Sequence, residues 1–312
     1  MRRLPDHLKG LLLTGIGVLV LSPDSLLVRL IAIDQWSMVF WRGVLTAAAL
    51  TGYLAICHGR RTAAKFRAMG TAGLAVVVVL ATGSSFFVIA LNHTSVANTL
   101  VIVSTAPLFA SAFSWLYLVE PVPARTVGAI VAAIGGIAIL ASDSAGAGFF
   151  AGDVAALVTA ICMAGSLTLI RWSGDLDMIP AIATSGVLSA LVVLPWATPL
   201  AVAPDQIGLL LLLGLGVLPI AFALTALGPR YLPAAEVALI LLLETVLGPL
   251  WVWLAIREEP SRGALIGGAI VVVSLLLHAV LGWRDPKRSI QRPVDLTDGS
   301  RRNSSPSRRS AP

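Results

Sequence analysis

Long apolar runs follow one another along nearly the whole chain, parted only by short stretches that carry charge, proline or glycine. Crossing the ~30 Å hydrocarbon layer takes about 20 helical residues. In the first half, the runs near 10–31, 35–56, 71–91, 95–118 and 124–142 approach or exceed that length. In the second half, 150–171, 179–200, 206–227, 233–256 and 262–283 do the same. Lipid offers no hydrogen bonds, so each run must satisfy its own backbone, which predicts helices rather than open strands. The expected fold class is an all-α membrane protein with ten transmembrane helices. Most joining stretches are a few residues long, so consecutive helices must be antiparallel neighbours. Composition agrees: charged residues are 12% and hydrophobic ones 57%, whereas soluble domains carry about 25% charge. The N-terminal MRRLPDHLKG resembles the start of a signal peptide. No small-residue cleavage site follows, and the run after it is long enough to span, so a retained first helix is expected.

The net charge of +6 does not predict nucleic-acid binding, because the basic residues form no folded patch. They gather at the termini and at Arg60, Arg61, Lys65 and Arg67. With the N-terminus in the cytoplasm, 18 of the 22 lysines and arginines fall inside, which sets both termini there. The localisation expected is the cytoplasmic membrane, multi-pass, with the lipid bilayer as partner. The segment 284–312 is rich in Arg, Ser and Pro and predicts a disordered basic cytoplasmic tail on the anionic inner leaflet. Cys57 and Cys162 both sit in apolar runs, so neither a disulfide framework nor a metal site is expected.

The chain copies itself. VEPVPARTVGAI at 119–130 matches EEPSRGALIGGAI at 258–270, with Glu120-Pro121 answering Glu259-Pro260. Gly128 and Gly267 each follow their glutamate by eight residues. Upstream, HTSVANTLVIVSTAPLFASAFSWL at 93–116 parallels YLPAAEVALILLLETVLGPLWVWL at 231–254. The repeats run over 10–142 and 150–283, five helices each. An odd number forces the second copy to run inverted in the membrane. Inverted repeats meeting at a central cavity are the architecture of secondary transporters, although a purely structural duplication leaves the same sequence signal.

These repeats resemble the EamA family of the drug/metabolite transporter superfamily. RYLPAAEVALILLLETVLGPLWVWL, ending at residue 254, is the most specific piece, and FWRGVLTAAAL at 40–50 looks like the family's second helix. The resemblance implies a ten-helix carrier, commonly an exporter of amino acids or other small metabolites, with a cavity lined by helices 1, 3, 4, 6, 8 and 9. No cofactor is implied. One departure stands out: the family often has Glu-Pro where this chain has Glu244-Thr245. The family is functionally broad and fixes neither substrate nor direction.

Polar groups at membrane depth are functional candidates by default. Asp24 lies behind Pro23, which should kink the first helix and free carbonyls. Arg42 lies at the same depth of about 10 Å from the outer end. The two form a buried ion pair, or Asp24 binds a proton or substrate directly. Glu244 lies about 16 Å into helix nine, near the midplane, with no basic residue expected at its level. It either cycles protons or binds a substrate amine, or stays protonated as a structural donor. Glu236, two turns earlier, forms the mouth of the same path or snorkels to water. Asn98, Thr99 and Ser104 in helix four, and Ser84 and Ser85 in helix three, are further candidates for binding or for bridging helices.

No phosphate-binding GxxxxGK[ST], HExxH or GxSxG occurs, so an enzyme is not expected. The leading expectation is a proton-coupled exporter of a small-molecule substrate working by alternating access. An uptake carrier and a non-transporting membrane sensor are the alternatives. A homodimer is compatible with this reading.

Overall fold

The computed structural model describes residues 6–118, 124–147, 150–173, 178–227, 231 and 234–283. Among these residues every regular element is helical. In order they are α1 (Asp6–Leu21), α2 (Asp24–Ile31), α3 (Gln35–His58), α4 (Thr62–Arg67), α5 (Gly70–His93), α6 (Val96–Val103) and α7 (Ala106–Leu118). There follow α8 (Ala124–Ala147), α9 (Phe150–Ser173), α10 (Met178–Val193), α11 (Pro204–Leu211), α12 (Leu218–Leu227), α13 (Ala234–Ile256) and α14 (Arg262–Trp283). Among the described residues, His7–Ile31, Gln35–Arg67, Gly70–His93, Val96–Phe113 and Pro204–Thr225 are long and apolar enough to cross a bilayer. Shorter apolar helices cover Val127–Leu140, Phe150–Ser166, Ile179–Val193, Ile240–Ile256 and Arg262–Leu277.

Several of the expected spans are broken, the first of them where Pro23 predicts a kink. Span one divides at Ser22-Pro23, where proline lacks the amide a continuous helix needs. Span four divides at Ser104-Thr105, ahead of Pro107. The eighth carries a π-type stretch, Leu212–Val217, between α11 and α12. The seventh, expected to reach residue 200, leaves the α-helix after Val193, two residues before Pro195, whose ring disfavours helix just ahead of it. The expected tail 284–312 lies outside the described residues.

Outward faces stay apolar: Val131 is 64% exposed on α8 and Leu265 59% on α14. Water would penalise such a surface, and lipid does not. Inside, small residues let backbones approach. A Cβ on Gly43 of α3 would strike the Gly186 carbonyl of α10, and one on Gly186 would meet Gly43 O at 2.6 Å. Gly136 of α8 and Gly267 of α14 make the same reciprocal approach. Gly43→Val should therefore cost about 1–3 kcal/mol as overpacking, read as a lower melting temperature in detergent. Gly128, where an added Cβ meets nothing within 4 Å, should accept alanine without such a loss.

Most of the larger contacts between the two halves of the chain are paired, the α6–α14 contact being an exception among the described residues. α5 packs on α9, as α12 packs on α1; α10 packs on α5, as the π-type stretch packs on α3. α6 and α7 lie against α9, as α13 lies against α1 and α2. The α3–α10, α8–α14 and α6–α13 contacts join counterparts directly. Exchanging each element for its counterpart maps this set onto itself. Hydroxyl bonds repeat the pattern: Thr46 Oγ1 of α3 reaches Gly214 O at 3.4 Å, and Ser189 Oγ of α10 reaches Ala81 O of α5 at 3.2 Å.

Candidate functional site

The break at Ser22-Pro23 puts Asp24 in the first turn of α2, where the helix dipole favours a carboxylate. Both oxygens of Asp24 accept from Arg42 of α3: Oδ1 from Nη1, and Oδ2 from Nη2 at 3.1 Å. Asp24 is 3% and Arg42 5% exposed, so this fork-to-fork pair sits inside the protein. Arg42 also lies over the Phe87 ring of α5, 5.8 Å from its centroid, and its buried Nε has no hydrogen-bond partner among the described residues.

Glu244 enters the same space from α13. It is half-buried, and no described residue hydrogen-bonds or ion-pairs with it. Asp24 and Arg42 are the charges that act on it electrostatically. This corrects the expectation that no basic group lies near its level. Arg42 is close enough to act on it, yet its two Nη groups are already engaged by Asp24 and neither bonds Glu244. Two turns further along α13, Trp251 Nε1 donates to Ser22 Oγ at 2.9 Å, tying this helix to the break in span one.

The other candidates divide. Asn98 and Thr99 are buried on α6. Asn98 Nδ2 donates to Thr94 Oγ1 at 3.2 Å and lies 3.4 Å from Asp153 Oδ1, while Thr99 Oγ1 donates to Ser95 O at 3.0 Å. Ser104, at the break between α6 and α7, donates to Val101 O at 2.7 Å. Ser85 is half-buried and donates to Ala81 O at 2.8 Å. Ser84 is exposed, three residues before Phe87 on α5. The Glu236 side chain lies outside the described residues.

A polar cluster at the opposite end of α2 escaped the sequence reading. Arg29 Nη2 donates to Thr94 O at 2.9 Å, and its Nε pairs with Glu258 Oε2 at 3.3 Å. Glu258 Oε1 accepts the Val96 amide at 3.0 Å, and Asp153 Oδ1 accepts from Thr94 Oγ1 at 2.7 Å. The partners lie up to 229 residues apart, so only the folded topology joins them. Nearby, a cleft of about 330 Å³ is lined by Asp34, Ser37, Thr198 and Gln206, among others. Asp34 caps α3 through the Trp36 and Ser37 amides. Burial pushes its carboxyl up, but hydrogen bonds from Ser37, Thr198 and Trp36 outweigh this and hold it below the usual range.

The sequence model of the EamA-like transporter family matches residues 8–142 and again 150–280. A crystal structure described only as that of a protein superposes with a TM-score of 0.64 at 18% identity. The match covers 88% of this chain and 98% of that one and carries likeness of fold alone. No curated protein matches this chain in sequence. With two family matches spanning most of an apolar, multi-helical chain, the protein belongs to the EamA-like transporter family and is a multi-pass membrane transporter of small molecules.

Proposed function

We propose that this chain is a secondary carrier of the cytoplasmic membrane that exports amino acids or related small metabolites by alternating access, coupled to protons. In this reading ten helices form two inverted five-helix repeats, 10–142 and 150–283, with both termini and the basic tail in the cytoplasm. The observation that carries it is the charged interior: Asp24, Arg42 and Glu244 gathered where two broken or glutamate-bearing spans meet. The exchangeable set of contacts supports two similar halves, and two such halves have two nearly equal packings, open to opposite sides. The positive-inside rule supports the orientation, with Arg60, Arg61 and Arg67 exposed around α4.

The test is flux of a radiolabelled metabolite panel into liposomes holding the purified protein, with and without a pH gradient. At least one amino acid or related amine should accumulate when the gradient is applied and not without it. Zero flux across amino acids, amines, nucleosides and vitamins would sink the carrier reading in favour of a sensor. Accumulation insensitive to pH would retain the carrier and discard its proton coupling.

A further inference from the structure

Spans one and four both break, and each leaves an eight-residue outer piece, α2 and α6. Glu258 touches both pieces, beside a direct bond from Arg29 of α2 to Thr94 O just ahead of α6. Glu258, just beyond α13, pairs with Arg29 in the last turn of α2 and accepts the first amide of α6 at Val96. The contact at Val96 places a carboxylate at the positive end of the α6 dipole. Arg29 and Glu258 side chains are 27% and 26% exposed, so water can replace their partners when they separate. Apolar packing would not release in that way. Charged contacts at a wet rim are weak individually and re-form readily, as a reversible closure requires.

α2 also connects this contact to the interior. Its first turn carries Asp24, locked to Arg42, and its last turn carries Arg29. Eight helical residues move as one short rod, so any shift of Asp24 on Arg42 is delivered to Arg29. Between them Ser25, 1% exposed, faces α13, with its Oγ 3.8 Å from a Cβ built on Gly248. Ser25 therefore lies beneath the closure, where access from outside depends on it.

We propose that Glu258 is the outer latch of the carrier, closing the outward path by holding α2 and α6 together, and that α2 is the rod through which the Asp24–Arg42 pair sets and releases it. This rests on the orientation and the alternating-access reading given above.

The experiment uses the full chain with Cys57→Ser and Cys162→Ala, Ser25→Cys as reporter, and a membrane-impermeant maleimide added outside right-side-out vesicles. Glu258→Gln should speed labelling about tenfold by shifting population to the outward-open state. Arg29→Gln removes this pair together with the Arg29–Thr94 bond and should raise the rate at least as much; it carries the test if Glu258→Gln fails to fold. Glu258→Asp should give a smaller rise. Glu259→Gln, at the exposed neighbour, should leave the rate unchanged. Unchanged labelling in both Glu258→Gln and Arg29→Gln overturns the latch, as does an equal rise in Glu259→Gln. Labelling needs no substrate, so a chain that moves none of the panel still reports on the latch. Flux without a labelling change overturns the latch alone.

Discussion

Replacing Glu244 with glutamine should abolish accumulation driven by a pH gradient while leaving the protein folded. Glutamine keeps the shape and can still donate and accept hydrogen bonds, but it has no proton to release. Glu244 is suited to carry that proton because nothing described holds it: it makes no ion pair, and the nearby Arg42 is already engaged by Asp24. Two measurements separate the roles left open for this residue. If Glu244 carries the coupling proton, Glu244→Gln loses gradient-driven accumulation in liposomes but retains exchange of labelled for unlabelled substrate at equal pH. If it binds a substrate amine, both are lost. Full accumulation in the variant would remove Glu244 from the mechanism.

Depth along a helix was legible from the sequence; direction around it and distant pairing were not. Counting residues from the span ends put Asp24 and Arg42 at one level, and they pair. The same counting, about 10 Å from the outer side and about 16 Å from the inner, nearly levels Glu244 with them in a ~30 Å layer. Arg42 was nonetheless unexpected there, because residue counts do not say which face of α13 looks inward. Proline explains the legible break at Pro23, and Pro107 gave the same signal for the break between α6 and α7, which was expected as one span. The π-type stretch at 212–217 carries a proline signal too: Pro219, just beyond it, has no amide for the residue-215 carbonyl, so the ladder shifts there. Glu258 was hidden by the repeat itself. Register matched Glu120 to Glu259, drawing attention to the exposed member of the glutamate pair, while its neighbour makes the contacts. In the sequence Arg29 is only an outside charge; the folded topology places it against a residue 229 positions away.

The Asp24–Arg42 pair should respond asymmetrically to losing one partner or the other. Arg42→Ala strands a carboxylate that is 3% exposed, and breaking a buried pair from one side costs about 3–5 kcal/mol. It also strips Phe87 of the cation over its ring and removes a positive charge that acts on Glu244. A lowered melting temperature in detergent and reduced yield of the monodisperse species are expected. Asp24→Asn is different, because the freed guanidinium has another carboxylate within electrostatic reach. Arg42 should turn to Glu244, so the fold survives with little loss while Glu244 becomes fixed as an anion. That variant should be stable yet unable to accumulate substrate on a pH gradient, like Glu244→Gln but with a fixed negative charge in place of a neutral side chain. Arg42→Lys should not substitute for arginine, since a point charge cannot reproduce the two-pronged contact. In the double variant Asp24→Asn with Arg42→Gln, two neutral amides can still bond, and stability should exceed that of Arg42→Ala alone. A melting temperature for Arg42→Ala within about 2 °C of the unaltered protein would show that the pair is not a buried structural charge. Gradient-driven flux retained in Asp24→Asn would show that Glu244 does not depend on Asp24 to keep Arg42 occupied.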